Sequence, residues 1–361
     1  MQKNYADLVQ RAKNRSNPDS IRETELFSKS FNEDFKGLGI PYSEVFEYVK
    51  RAMQGVESEY TERTIEAGNK IKEHLKRNNS SLDYKFQGSV MCNTHIKGHS
   101  DIDLVQITNS FYSHEPIVKF NEKFTSSSYL TLGQKQNLLS VINGTPYKDD
   151  VRDNLRKIRL EAETVLTSTY KYVDITKSKS IEVNPTNPDR LVDVVTASWY
   201  KNVDSVLDND VDKNGIQIYD KEKNLRLPVD FPFLKIQLLN GKDKSVNGRL
   251  KKMIRFLKTI KADSEYNLKE ISSFDISSIC YNIPTWKYSD KPYYELVIVL
   301  YSELKKIIED ENYRNSIRSI DNTEYIFKDK NEKLRLLRLI FNELLPIYQD
   351  LSPQTSFTKF L

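Results

Sequence analysis

The chain has 361 residues, more than one hydrophobic core usually serves, so two packed lobes of unequal size are expected. Hydrophobic residues make up 38% and charged residues 29%, and no apolar run reaches the length of a membrane span, which excludes a transmembrane protein and predicts a soluble globular one. With 55 basic and 51 acidic residues the net charge of +4 is too small to define a nucleic-acid binder by itself, and residues 1–15 are charged throughout with no apolar signal region, so the expected location is the cytoplasm.

From Val45 to Leu75 apolar residues recur at helical spacing (Val45, Val49, Ala52, Met53, Val56, Tyr60, Ala67, Ile71, Leu75), which predicts one long helix entered after Pro41. Leu82, Tyr84 and Phe86 then alternate with Asp83 and Lys85 as in a half-buried strand that breaks at Gly88. Cys92 lies far from the second cysteine, Cys280, without the paired spacing of a zinc site or a disulfide framework, and both are expected as reduced thiols. Asp101 to Ile107 reads as a second strand, and Val151 to Tyr170 as a charged amphipathic helix. Strand-like runs follow at Tyr172–Thr176 and Ser180–Val183, then a turn at Asn184–Pro188 that holds Asn-Pro twice. Leu191 to Val195 is a short β-prone run with Asp193 at its centre. Asn202 to Asn224 reads as loop with a short strand at Gly215–Tyr219. From about Phe231 the pattern is helical, notably over 248–261, 292–309 and 331–348. The final ten residues read as an exposed tail.

The outline is α+β: a catalytic lobe with a mixed sheet over residues 1–225, a helical lobe over 226–361, and an active site in the cleft between them. The chemistry is concentrated in Phe86-Gln87-Gly88-Ser89, eleven further residues, then Asp101-Ile102-Asp103. Side chains alternate along a strand, so Asp101 and Asp103 share one face while Ile102 enters the core. Two adjacent carboxylates repel unless a cation or a proton neutralises them, and divalent metals take oxygen ligands of this kind. A Gly-Ser turn after a strand offers backbone N–H groups and a hydroxyl to phosphate oxygens. An Asp-x-Asp strand alone is usually a solvated face; the preceding Gly-Ser decides against that here. If Asp193 lies on a neighbouring strand, three carboxylates can hold two ions for in-line displacement at phosphorus. An edge strand facing solvent is the rival account of Asp193. His95 and His99, between Ser89 and Asp101, suggest metal, although a polar loop in solvent accounts for them equally.

Gly-Ser followed by Asp-x-Asp, with a later lone Asp on a strand, resembles the polymerase-β-like nucleotidyltransferases. More narrowly, Phe86-Gln87-Gly88-Ser89, Thr94 and Ser100-Asp101-Ile102-Asp103-Leu104 are similar to the bacterial cGAS/DncV-like nucleotidyltransferases, which make cyclic oligonucleotide signals. Gly248-Arg249-Leu250-Lys251-Lys252-Met253-Ile254-Arg255-Phe256-Leu257-Lys258 resembles that family's basic helix, and Ser272-Ser273-Phe274 its Ser-Ser-Tyr-like segment; the likeness spans roughly residues 40 to 285. It implies that Gln87, Gly88 and Ser89 contact donor phosphates and that Asp101, Asp103 and Asp193 hold two Mg²⁺, with Mn²⁺ as a substitute. Lys251, Lys252 and Ser273 would contact triphosphate, and Phe274 would stack on a base. Phe in place of Tyr keeps the π-face and removes a hydroxyl. By periodicity alone, Leu250, Met253, Ile254, Leu257 and Ile260 form the helix's buried stripe, leaving Lys251, Arg255 and Lys258 on one polar edge and Lys252 on another, which an ordinary solvated face explains equally. Phe274 as plain helix core is likewise open.

The activity implied is condensation of ribonucleoside triphosphates into a cyclic di- or trinucleotide with release of pyrophosphate, in CBASS-type anti-phage defence. Its partners would be a downstream effector that senses the product and an RNA or other activating ligand acting on a monomer; the Lys/Arg-rich segments at 244–261 and 303–335 suit RNA activation and ordinary helix surface equally. Terminal transfer to RNA or protein is the alternative enzyme, and an inactive nucleotide- or RNA-binding module the alternative of another class; intact acids at 101, 103 and 193 argue against the latter.

Overall fold

In the computed structural model, residues 3–16, 43–96, 102–126 and 128–351 are described. They fall into two compact units, one formed by the segments 58–91 and 101–237 and the other by 1–57, 92–100 and 238–361.

The first unit is built on a mixed sheet of seven strands: β1 (Asp83–Gln87), β2 (Ile102–His114), β3 (Tyr172–Asp174), β4 (Ser180–Asn184), β5 (Val192–Lys201), β6 (Gly215–Asp220) and β7 (Leu225–Arg226). Its order is β1-β2-β5-β4-β3, with β6 on the later part of β5 and β7 on β6. Only β2 and β5 run parallel, and the crossover between them carries helices Ile117–Ser126, Leu132–Ile142 and Val151–Thr169. The alternation seen in the sequence sets which face is covered. Ile102, Leu104, Ile181, Val183, Val192 and Val194 are fully buried beneath Ala67, Ile71 and Leu75 of helix Ser58–Asn78 and Ala162 and Leu166 of helix Val151–Thr169. Residues between them, Asp103, Glu182 and Asp193, therefore emerge on the opposite face. Farther along that face the sheet becomes apolar: Val105, Ile107, Ala197 and Trp199 pack with Ile216 and Phe233. The polar patch is thus confined to one end of the two parallel strands.

The second unit is helical. Helices Tyr5–Ser16, Glu44–Met53, Arg249–Asp263, Ser273–Asn282, Glu295–Glu309 and Asn331–Leu351 supply its core, with Phe46, Val49, Phe256, Ile279, Leu300 and Leu344 buried to 1% exposure or less. The chain division at 225/226 is therefore not the spatial one. The N-terminal helices group with the C-terminal ones and are bonded to them: Tyr48 donates to Asp263 at 3.0 Å, Tyr5 bonds to Asp350, and Lys3 pairs with Glu343.

The single long helix expected from Val45 to Leu75 is two, Glu44–Met53 and Ser58–Asn78. The apolar period continues across the break, but the buried Arg255 donates from Nε to the Met53 carbonyl at 2.8 Å and from Nη1 to the Asn93 carbonyl at 2.7 Å. A carbonyl taken by a side chain ends the helix, and Gln54 is extended there (φ −66°, ψ 144°). The strand expected from Leu191 runs from Val192 to Lys201, and the one from Asp101 is described from Ile102 to His114.

Candidate active site

Asp103 of β2 and Asp193 of β5 are direct register partners across the parallel pair, each half-buried, between fully buried neighbours. On the other side of β2, Gln87 pairs with Asp103; on the other side of β5, Glu182 pairs with Asp193. One row across four strands thus reads Gln87, Asp103, Asp193, Glu182. Asp101 and His99, both singled out in the sequence, lie outside the described residues.

Gly88 follows Gln87 with φ +90°, in the region that favours glycine, and a Cβ built on it would stand 2.6 Å from Oδ2 of Asp103. The absence of a side chain at 88 is what leaves the Asp103 carboxylate uncovered. Oε1 of Gln87 is buried with no hydrogen-bond partner among the described residues, a polar atom aimed at the same row. Ser89 is half-buried in the turn that follows.

Among the described residues a lysine is bonded to two acids of the row. Lys177, on the turn between β3 and β4, bonds Glu182 Oε2 at 2.6 Å and reaches Asp193 Oδ1 at 3.4 Å. Burial lowers the lysine's pKa, but the hydrogen bond to Glu182 and the charge of Asp193 outweigh it, and the net direction is upward. Neither Lys177 nor Glu182 stood out in the sequence. Glu182 had a legible signal, an acid between Ile181 and Val183 on the same strand parity as Asp193; Lys177 sits in a turn, where parity says nothing.

The remaining expected residues belong to the helical unit. Lys251 and Lys252 lie in the first turn of helix Arg249–Asp263, both partly exposed, and Lys251 Nζ is 3.6 Å from Asp243 Oδ2. The polar edge read from the sequence does not hold beyond them. Arg255 and Lys258 are 7% and 6% exposed, their charges spent on the carbonyls of Met53, Asn93 and Thr94. Helical period places residues around the axis but does not reveal that a second segment covers that side. His95 is 1% exposed, so the reading of it as a solvated loop residue is also corrected. Ser273 is exposed and Phe274 half-buried, in the first turn of a helix whose start is set by a capping box: Ser272 Oγ accepts from Asp275 N, and Asp275 Oδ2 accepts from Ser272 N. Cys92 and Cys280 are free, buried thiols, as expected.

Two central parallel strands with acids at matching register, flanked by an antiparallel strand that ends in a Gly-Ser turn, on a mixed sheet with a helical unit, define a polymerase-β-like nucleotidyltransferase. Residues 237–345 match the family described as cGAS/DncV-like nucleotidyltransferase C-terminal helical domain. A c-di-GMP synthase of Flavobacteriaceae sp. is 44% identical over 98% of this chain and 99% of its own, and one of Capnocytophaga granulosa 41% identical over 97% and 98%. The solved structure of a STING-associated CdnE c-di-GMP synthase from Flavobacteriaceae sp. superposes with a TM-score of 0.87 at 42% identity, covering 98% of this chain and 100% of that one. The chain belongs to the cGAS/DncV-like nucleotidyltransferases, the enzymes that condense ribonucleoside triphosphates into cyclic oligonucleotide signals. Among the described residues no helix is long and apolar enough to cross a membrane.

Proposed function

We propose that the protein joins two molecules of GTP into cyclic di-GMP with release of two pyrophosphates, and that the row Gln87, Asp103, Asp193 with the Gly88-Ser89 turn is where phosphoryl transfer occurs. The observation that carries this reading is the register match of Asp103 with Asp193, with the residue beside them reduced to glycine. The guanine preference is taken from the c-di-GMP synthases to which the chain is 44% and 41% identical.

The donor set suits a hard divalent cation: carboxylate oxygens on neighbouring strands, uncovered by Gly88, beside a buried amide oxygen of Gln87 lacking a partner among the described residues. Asp103 and Asp193, with Asp101 two residues before Asp103 in sequence, would hold two Mg²⁺ or Mn²⁺, which would offset the charge of the triphosphate and of the leaving pyrophosphate. Gly88 and Ser89 bind the donor phosphates through a backbone that no side chain obstructs and through the Ser89 hydroxyl. Asp193 accepts the proton of the attacking ribose hydroxyl. The first transfer gives a linear dinucleotide; a second transfer in the same site closes the ring. On the helical unit, Lys251, Lys252 and Ser273 contribute triphosphate contacts and Phe274 a stacking face. A STING-type effector fits as the reader of the product, since the Flavobacteriaceae and Capnocytophaga relatives are described as STING-associated.

The test is to incubate the purified protein with Mg²⁺ and each ribonucleoside triphosphate, singly and together, and to identify phosphatase-resistant products by mass spectrometry. Cyclic di-GMP from GTP alone is expected. A cyclic product that needs a second base would overturn the guanine assignment, and label found only on RNA or protein would favour terminal transfer.

A further inference from the structure

We propose that Lys177 is a positioning residue for the reaction: a resident cation that holds the Asp193 carboxylate in place and competes with the divalent ion there. This rests on the reading of Asp193 as a metal ligand.

Glu182 and Asp193 are opposite each other on antiparallel strands, and like charges so placed are destabilising unless countered. Lys177 counters both, at 2.6 Å from Glu182 and 3.4 Å from Asp193. Asp103 stands at the next register position beyond Asp193, so the pair that Lys177 bonds is continuous with the third acid of the row.

The turn that carries Lys177 is anchored from below. Arg159, fully buried, donates from Nη2 to the carbonyls of Lys177 at 2.9 Å and Ser180 at 2.8 Å, while its Nε bonds Glu163 at 2.8 Å. Lys221 adds a backbone bond to the Ser178 carbonyl at 2.9 Å and a side-chain bond to Glu163 at 2.8 Å. A lysine needed only for solubility requires no such support. With its backbone fixed, the lysine's side chain stands beside the row of acids and bonds two of them.

The consequence is a graded electrostatic brake. Lys177 keeps Asp193 oriented in the empty protein and makes ion binding there weaker than it would be without the lysine. Glu182 draws part of the lysine's charge away from Asp193 and so favours the ion.

The test measures Mn²⁺ binding to nucleotide-free protein by electron paramagnetic resonance, with thermal melts of the same samples. Lys177→Gln is expected to bind Mn²⁺ about fivefold tighter, which corresponds to about 1 kcal/mol. It should also melt lower than wild type without metal and gain more from added Mn²⁺. Glu182→Gln should bind about fivefold more weakly, and Lys177→Arg should stay near wild type. Lys179→Gln, two residues away and exposed, controls for general charge and should change nothing. Unchanged or weaker Mn²⁺ binding by Lys177→Gln overturns the proposal, as does an equal effect of Lys179→Gln. Should Lys177→Gln not fold, Glu182→Gln decides, with unchanged or tighter binding overturning it. If Asp103→Asn and Asp193→Asn leave Mn²⁺ binding intact, the metal reading of the row fails instead.

Discussion

A methyl group at position 88 would lie 2.6 Å from Oδ2 of Asp103, on a backbone whose φ of +90° already disfavours L side chains. Gly88→Ala should therefore damage the reaction more than the fold. We expect nucleotide condensation to fall by on the order of 10²-fold, as for a misplaced reacting group, and stability by about 1–2 kcal/mol. Pyrophosphate release beside a denaturant titration separates the two, and full activity would mean that Asp103 is not used. A second residue makes a pH prediction. Lys258 is 6% exposed, and burial lowers its pKa from 10.5 to about 8. Between those values the unfolded chain binds more protons than the folded one, so the stability contributed by this residue rises with pH across the window and is lost as pH falls through about 8. Wild type should gain on Lys258→Met by up to about 3 kcal/mol between pH 7.5 and 10.5; a difference that stays flat with pH would contradict the burial account. At this scale the sequence was legible where strand parity applies, since Ile102, Asp103, Val192, Asp193 and Val194 alternate as they must. It was not legible for Arg255 and Lys258, whose charges meet carbonyls of residues 53, 93 and 94, distant in sequence.

Helix Ser58–Asn78 approaches the sheet most closely at Gly68, where an added Cβ would come within 2.6 Å of the Phe86 ring and 3.5 Å of Ile102. Ala favours helix by about 1 kcal/mol over Gly, yet here overpacking costs about 1–3 kcal/mol. Gly68→Ala should be net destabilising, and because Phe86 leads into the Gln87-Gly88 turn it should also lower activity. A stabilised variant in urea titration would show that the helix is not held by that approach. The β3–β4 hairpin depends in the same way on Arg159: Arg159→Met leaves the buried Glu163 with Lys221 as its cationic partner and removes the donor to two carbonyls, and should cost about 1–3 kcal/mol, read from the denaturation midpoint. Elements were legible where a single period dominated, as for helix Val151–Thr169 and the strand at 83–87, while the strand Val192–Lys201 was legible only as far as Val195. The break at Gln54–Glu57 was not read, because the apolar period runs through it and outweighed Gly55, and the Arg255 that caps the Met53 carbonyl is distant in sequence.

For the whole molecule, the family and the general activity were readable from a few short motifs because transfer at phosphorus constrains them strictly: a Gly-Ser turn, a pair of acids and a third acid on a later strand. How the segments assemble was not readable. The helices Tyr5–Ser16 and Glu44–Met53 join the C-terminal helices through side chains such as Tyr48 and Asp263, and no local pattern announces a partner 215 residues away. The central claim is that the matched acids of β2 and β5 perform the transfer. It is tested most directly by measuring cyclic product from GTP and Mg²⁺ for wild type, Asp103→Asn and Asp193→Asn, with each variant shown to be folded by its thermal melt. The account predicts that each substitution lowers product by about 10³-fold or more while melting stays close to that of wild type; a folded Asp193→Asn enzyme that still makes the cyclic product at the wild-type rate would contradict it.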